Sequence, residues 1–488
     1  MLQALKRMLL SVVTVALTTS VTYGDYKHSS ELSGFELAAS KLGFTSPTQQ
    51  EALLKIFYLA GYFEPQKLWH DLVCFDKTNA DKIFRLIQGS LAKAGANQNA
   101  PSKFNAKSLR KNLFKSINEI NVRNIEDWLL FVAQDAFDLN LGQERNELTT
   151  KDWMTKYKSQ YIVDARQLGL INEIKPHYQE YDEAWIAGAA RIRLLTRIIY
   201  YNKLTEQIKV NGLVLVLTGA RPLWANLDGI NPKTYTELLE AWQGKADINR
   251  LDTVQLVGND SACIEEGERY IESLAKDYAI KLNKAQPFIQ YKTQEECPLG
   301  LFPRRFYPNY ASSNERKLTE DLMSSDLVNK FLNKDQVKRT EIINTKVGKN
   351  NERPDTATTA HDAAVNFAER ILSRKFGRQK DFVILFVSNN PHIERQTIVT
   401  QREVDKVLQQ YGLDKQGYHI KIAGIGASAV PDIPIIHSEL GKLITAKWIN
   451  KNLLSTDKFG HSIDQLMFQT RKCPDPKSIP PIPKIKEI

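Results

Sequence analysis

Residues 381–395, DFVILFVSNNPHIER, constrain the fold of this chain more than any other stretch. An apolar run, Phe382 to Val387, stops abruptly at Ser388, Asn389, Asn390 and Pro391. Six consecutive residues rich in Val, Ile and Phe predict a strand buried on both faces of a parallel sheet. The polar residues that follow then lie at the carboxyl end of that strand, where open α/β sheets bind their ligands. His392 and Arg395, three apart, share one face of the first helical turn. Such a pair can hold an anion beside the free N–H groups of the helix start. The alternative is a strand, a Pro-containing turn and a surface helix with an incidental His and Arg.

The same grammar recurs from about residue 178 onward. Glu183 to Ala187 ends in Gly188 and leads into a basic amphipathic helix, Arg191 to Asn202. Leu213 to Leu217 ends in Thr218-Gly219-Ala220-Arg221, Thr253 to Val257 ends in Gly258-Asn259-Asp260, and His419 to Ala423 ends in Gly424. Strand, glycine, helix, repeated, predicts a mostly parallel, Rossmann-like α/β sheet with flanking helices over residues 178–455. Residues 291–350 read as irregular. Ahead of this domain, residues 28–175 read as an all-helical accessory domain, with apolar residues at three- and four-residue spacing over Glu31–Leu42, Pro47–Ala60, Ala80–Ala96, Ser108–Glu119 and Ile125–Phe137. Its aromatics Phe57, Tyr58, Tyr62, Phe63 and Trp69 are core candidates rather than a ligand cage. The tail 474–488, with its prolines and lysines, reads as extended or disordered.

The N-terminus points to export. Lys6 and Arg7 precede the apolar stretch Met8 to Val21, which is followed by Thr22-Tyr23-Gly24. That is the layout of a secretory signal over residues 1–24. The stretch is short for a membrane span of about 20 residues. Cleavage after Gly24 and retention as an inner-membrane anchor both fit, and the expected location is the periplasm or the exterior. A net charge of +10 and a pI of about 9.1 favour anionic partners, including a membrane surface, without choosing among them. No zinc-finger spacing, arginine block or aromatic RNA-binding signature is present, so a dedicated nucleic-acid role is not expected. Cys74, Cys263, Cys297 and Cys473 form no CxxC, and no metal site is expected. In an oxidising compartment Cys263 with Cys297 is the preferred pair; four buried thiols are the alternative.

Several strand ends pair a small residue with an anion-binding side chain: Gly188 with Arg191, Gly219 with Arg221, and Ser388 and Asn389 with Arg395. None is a GxGxxG or a P-loop. In order, these pieces resemble the SanA/YdcF-like family, bacterial envelope-associated proteins with a Rossmann-like domain. Residues 182–191, DEAWIAGAAR, are similar to its opening strand and Arg-bearing helix, and Thr218-Gly219-Ala220 to its Ser-Gly-Gly turn. A helix carrying Glu265 or Glu266, then residues 356–366, TATTAHDAAVN, with Thr359 and Asp362, and finally Ser388 with His392-x-x-Arg395, follow the family order. Ala363 and Ala220 depart from it. The resemblance spans roughly residues 180–425, and implies a nucleotide-type ligand such as S-adenosylmethionine and a role in the envelope.

Two classes of function follow. In one, the protein is a hydrolase or transferase on a phosphate-bearing envelope substrate. His392 is then the general acid or base, with Asp362 or Glu266 orienting it or activating water. Gly188, Arg191, Gly219, Arg221, Thr359, Ser388, Asn389 and Arg395 hold the anion. In the other, the same pocket binds its ligand without turnover, as a binding or scaffold protein of the envelope. A secreted factor acting on a host cell is a third reading.

Overall fold

A computed structural model describes residues 39–40, 42–75, 78, 80–94, 148–189, 191–219, 315–323, 334–345, 354–429, 432–454 and 479–483. Residues 1–24, the strand expected over 253–257 and the helices expected over 108–119 and 125–137 lie outside these. The chain divides into two compact units, Met1–Phe131 with Asp464–Ile488, and Val132–Ile463.

In the first unit the described helices are α1 (Pro47–Leu59), α2 (Pro65–Phe75) and α3 (Ala80–Lys93). Helix α1 starts at Pro47, as the apolar spacing over Pro47–Ala60 places it. The Ser46 side chain accepts from Gln49 N, the Gln49 side chain accepts from Ser46 N, and Pro47 occupies the first helical position. Four of its five expected core aromatics are buried and Tyr58 is half-buried: Phe57 packs on Tyr62 and Phe63, and Trp69 meets Phe84 edge-on at 5.4 Å. Buried amides tie the connections down, Gln50 Nε2 donating to Phe44 O and Gln88 Nε2 to Phe63 O, each at 3.0 Å. Residues 479–483 form no helix or strand, and Pro480 O accepts from Trp69 Nε1 at 2.6 Å. Cys74 is disulfide-bonded to a partner outside the described residues, so it is not a buried thiol.

The second unit is the α/β domain. Its described elements are α4 (Asp152–Lys156), α5 (Lys158–Gln167), β1 (Glu180–Tyr181), β2 (Glu183–Ala187), α6 (Arg191–Leu204), β3 (Lys209–Val210), β4 (Val214–Gly219), α7 (Glu315–Met323), α8 (Lys334–Lys338), β5 (Thr340–Thr345), α9 (Thr356–Leu372), β6 (Asp381–Asn389), α10 (Ile393–Gln410), β7 (His419–Ala427) and α11 (Ile433–Leu454). Five strands form one all-parallel sheet in the order β5-β4-β2-β6-β7, and β1 pairs with β3 apart from it. In chain order this is 3-2-1-4-5, the Rossmann-like arrangement. It reverses direction between β2 and β6, which makes their carboxyl ends the topological switch point.

Strands β2 and β4 are buried throughout because helices cover both faces of the sheet. One face packs Trp185, Leu215, Leu217, Ile384 and Phe386 against Phe367 and Ile371 of α9 and Val404, Val407 and Leu408 of α10. Each such side chain contributes roughly 1.5–3 kcal/mol of burial. The intervening residues Ala184, Ile186, Val214, Val216, Leu385 and Val387 alternate onto the other face and are equally buried.

Two expectations need correction. Residues 340–345, TEIINT, form strand β5 within the stretch read as irregular. Only two apolar residues and polar ends mask it, since an edge strand pairs on one side and needs no continuous apolar run. The expected helical domain over 28–175 also runs too far. Residues 148–175 belong to the α/β unit: Tyr161 Oη lies 3.1 Å from His437 Nδ1, and Ile174 forms an antiparallel bridge with Gly426 that caps the β7 edge.

Candidate functional site

The switch point is spanned by a residue outside the sequence candidates, Arg197. This guanidinium is 2% exposed and reaches from α6 across the ends of β2 and β6. Its Nη1 donates to Ala187 O at 2.7 Å and Gly188 O at 2.8 Å, while Nε and Nη2 donate to Asn389 Oδ1 at 3.0 and 2.7 Å. Arg197 thereby brings two of the expected ligand-binding positions, Gly188 and Asn389, into one cluster. It also sets the Asn389 amide, whose Nδ2 donates to Asn390 O at 3.1 Å. A signal for Arg197 exists in the sequence, an arginine inside the apolar run 194–201, LLTRIIYY.

Gly188 and Gly219 are glycines because of close approach. A Cβ on Gly188 would stand 2.1 Å from Leu217 O and 2.7 Å from Glu315 Oε1, and one on Gly219 2.4 Å from Pro354 Cβ. The space a side chain would need is filled by the protein itself.

Ser388 is 1% exposed, and its hydroxyl donates to Gln396 Oε1. Gln396 in turn donates from Nε2 to Thr356 Oγ1 at 3.4 Å, which links the end of β6 to the start of α9. In the first turns of α9, Thr359 Oγ1 donates to Asp355 O at 3.0 Å, and the half-buried Asp362 follows one turn on. His361, beside it, has Nδ1 3.9 Å from Glu403 Oε2.

His392 caps the start of α10 and is 1% exposed; Arg395 lies one turn later. The i, i+3 pair does converge on an anion, and that anion is Glu439 of α11. His392 Nδ1 is 3.0 Å from Glu439 Oε2, and Arg395 Nε binds Glu439 Oε1. Glu439 itself is 1% exposed. Its place within the apolar stretch 433–444, IPIIHSELGKLI, was a readable sign of a buried partner.

The backbone of Arg191 starts α6 just past the switch point. Its side chain, together with Arg221 and Glu266, lies outside the described residues. Two further polar atoms lie at the carboxyl edge, Asn344 Oδ1 and Thr345 Oγ1 at the end of β5, in register with Thr218 and Gly219. Both are buried without a hydrogen-bond partner among the described residues.

Among the described residues no group of three or more His, Cys, Asp and Glu side chains is placed to hold a metal ion, and no described helix is long and apolar enough to cross a membrane. No protein-family model matches the chain, and no curated protein or solved structure is significantly similar to it.

Proposed function

We propose that the α/β unit binds an anionic, nucleotide-type ligand at the switch point and holds it without turnover, in an exported protein of the cell envelope. The observation that carries this reading is the reversal of strand order between β2 and β6, with Gly188, Arg197 and Asn389 gathered there. Ligands of open parallel sheets bind in this crevice, and the adjoining helix starts favour negative charge. The SanA/YdcF-like resemblance points to a nucleotide-type ligand such as S-adenosylmethionine; that molecule is a net cation, so the anionic reading favours a nucleoside phosphate. Export rests on residues 1–24, and the disulfide at Cys74 suits an oxidising compartment.

A binding role is favoured over catalysis because His392, the candidate general acid or base, is already engaged. The Ser388 hydroxyl is given to Gln396, and His392 and Arg395 both face Glu439. A second reading, a hydrolase or transferase, draws on the carboxylate–imidazole pair Glu439–His392, since such a pair orients a general base.

Thermal-shift and calorimetric titrations with inorganic phosphate, nucleoside phosphates and S-adenosylmethionine test the binding reading. At least one should raise the melting temperature, and Arg191→Ala should weaken binding of that ligand. No binding by any of them overturns the binding reading. A turnover screen with phosphomonoesters and phosphodiesters should stay at background. Turnover that disappears in His392→Ala would establish the enzyme reading instead.

A further inference from the structure

We propose that Cys473 is the disulfide partner of Cys74, which staples the C-terminal segment to the helical unit and makes it part of that unit. This goes beyond the ligand reading and does not depend on it. Cys74 lies on α2 and is bonded through sulfur, which leaves Cys263, Cys297 and Cys473 as candidates within the chain. Cys263 and Cys297 both fall in Val132–Ile463, whereas Cys473 falls in Asp464–Ile488, the stretch that shares a compact unit with Cys74. Few contacts cross the boundary between compact units, so a bond within one unit is favoured. Joining Cys74 to Cys473 also leaves Cys263 and Cys297 for each other, the pair that the sequence prefers. Any other partner for Cys74 within the chain would break that pair.

The contact between Trp69 and Pro480 supports the same pairing independently. Pro480 O accepts from Trp69 Nε1 at 2.6 Å, so residues 479–483 are docked on α2, the helix that carries Cys74. Trp69 and Cys74 are five residues apart, about 7.5 Å along a helix axis. Pro480 and Cys473 are seven residues apart, a span of up to about 25 Å when extended. The chain is therefore long enough to bring the two cysteine Cα atoms to the roughly 5.5–6 Å of a disulfide. Cys74 is 8% exposed, and its Sγ lies 3.9 Å from both ring nitrogens of His70, whose side chain is 43% exposed. The sulfur thus sits just beneath the surface of α2, within reach of a segment arriving from outside. Closing the bond removes two electrons and two protons from the two thiols; a protein disulfide of the oxidising compartment takes them up and becomes a dithiol. Chain termini fray unless tied down, and this link ties the tail where a single indole hydrogen bond would hold it weakly.

The test uses the full chain made under oxidising conditions. Free thiols are blocked with iodoacetamide, and the protein is digested with trypsin without reduction and mapped by mass spectrometry. Peptide 68–77, LWHDLVCFDK, should be joined to peptide 473–477, CPDPK, in protein that runs as a monomer on a non-reducing gel. Reduction should separate the two with a gain of two hydrogens. Peptide 68–77 joined instead to 251–269 or 293–304, which carry Cys263 and Cys297, overturns the inference. Its recovery in alkylated form does the same, and so does a 68–77 to 473–477 link confined to disulfide-bonded dimers. None of these outcomes needs a variant to fold, and none bears on ligand binding, which the titrations above read separately.

Discussion

Two buried carboxylates lie at opposite ends of the α/β unit, and their surroundings differ. At the amino end, Glu183 of β2 is fully buried and takes both ends of the Arg370 guanidinium, with Nη2 to Oε2 at 2.9 Å. Trp185 Nε1 donates to the same Oε2 at 3.2 Å, and Arg370 stacks over Phe367 and Phe376. At the carboxyl end, Glu439 takes His392 and Arg395. Each is an internal ion pair that fastens a helix to its neighbour. A buried cation beside a strand end is thus no evidence of a ligand by itself. The carboxyl end also leaves the oxygens of Asn344 and Thr345 without partners among the described residues, where the amino end leaves Tyr201 Oη. Immediately around Glu183 no such remainder is found among the described residues.

The contrast can be broken at several points. The largest effect is expected from Glu183→Ala, which strands the Arg370 charge in the interior and should cost about 3–5 kcal/mol in denaturant unfolding. Glu439→Gln keeps an acceptor for Arg395 and should cost less, about 1.5–3 kcal/mol. Reversal of that order would make the carboxyl-end cluster the main fastener of the unit. Thr345→Val removes an unsatisfied hydroxyl at nearly constant shape and should raise stability by about 1 kcal/mol. A loss of stability there would mean that the hydroxyl has a partner.

The effect expected to be smallest near neutrality is a pH dependence. His437 is packed between Trp153 and Tyr161, and burial first, then the nearby Lys151 charge, holds its pKa well below the ordinary 6.5. Below about pH 6.5 the unfolded chain takes up a proton that folded His437 refuses. Stability should therefore be unaffected by this group above that pH and decline as the pH falls toward the folded-state value. Urea titrations between neutral and mildly acidic pH would record the slope, and His437→Leu should flatten it.

Much of the fold was legible because its signals are local. The strand read over Glu183–Ala187 matches β2, and the helix read from Arg191 matches the start of α6. The apolar run Phe382–Val387 is the centre of β6, which extends one residue before it and two beyond. Strand β5 was missed because an edge strand with polar ends carries no such run. At the candidate site, the residues at the strand ends were readable from the strand-to-glycine transitions. Their partners were not. Arg197 meets Asn389 from 192 positions away, and Arg395 meets Glu439 from 44.

By itself the sequence determined where the chain runs straight through a core and where it turns, since burial on two faces demands an uninterrupted apolar run and a turn demands small or polar residues. Only the tertiary structure decided the order of the strands and the partner of each buried charge. Charges removed from water must be matched in space, and the matching groups arrive from distant parts of the chain once the sheet has assembled.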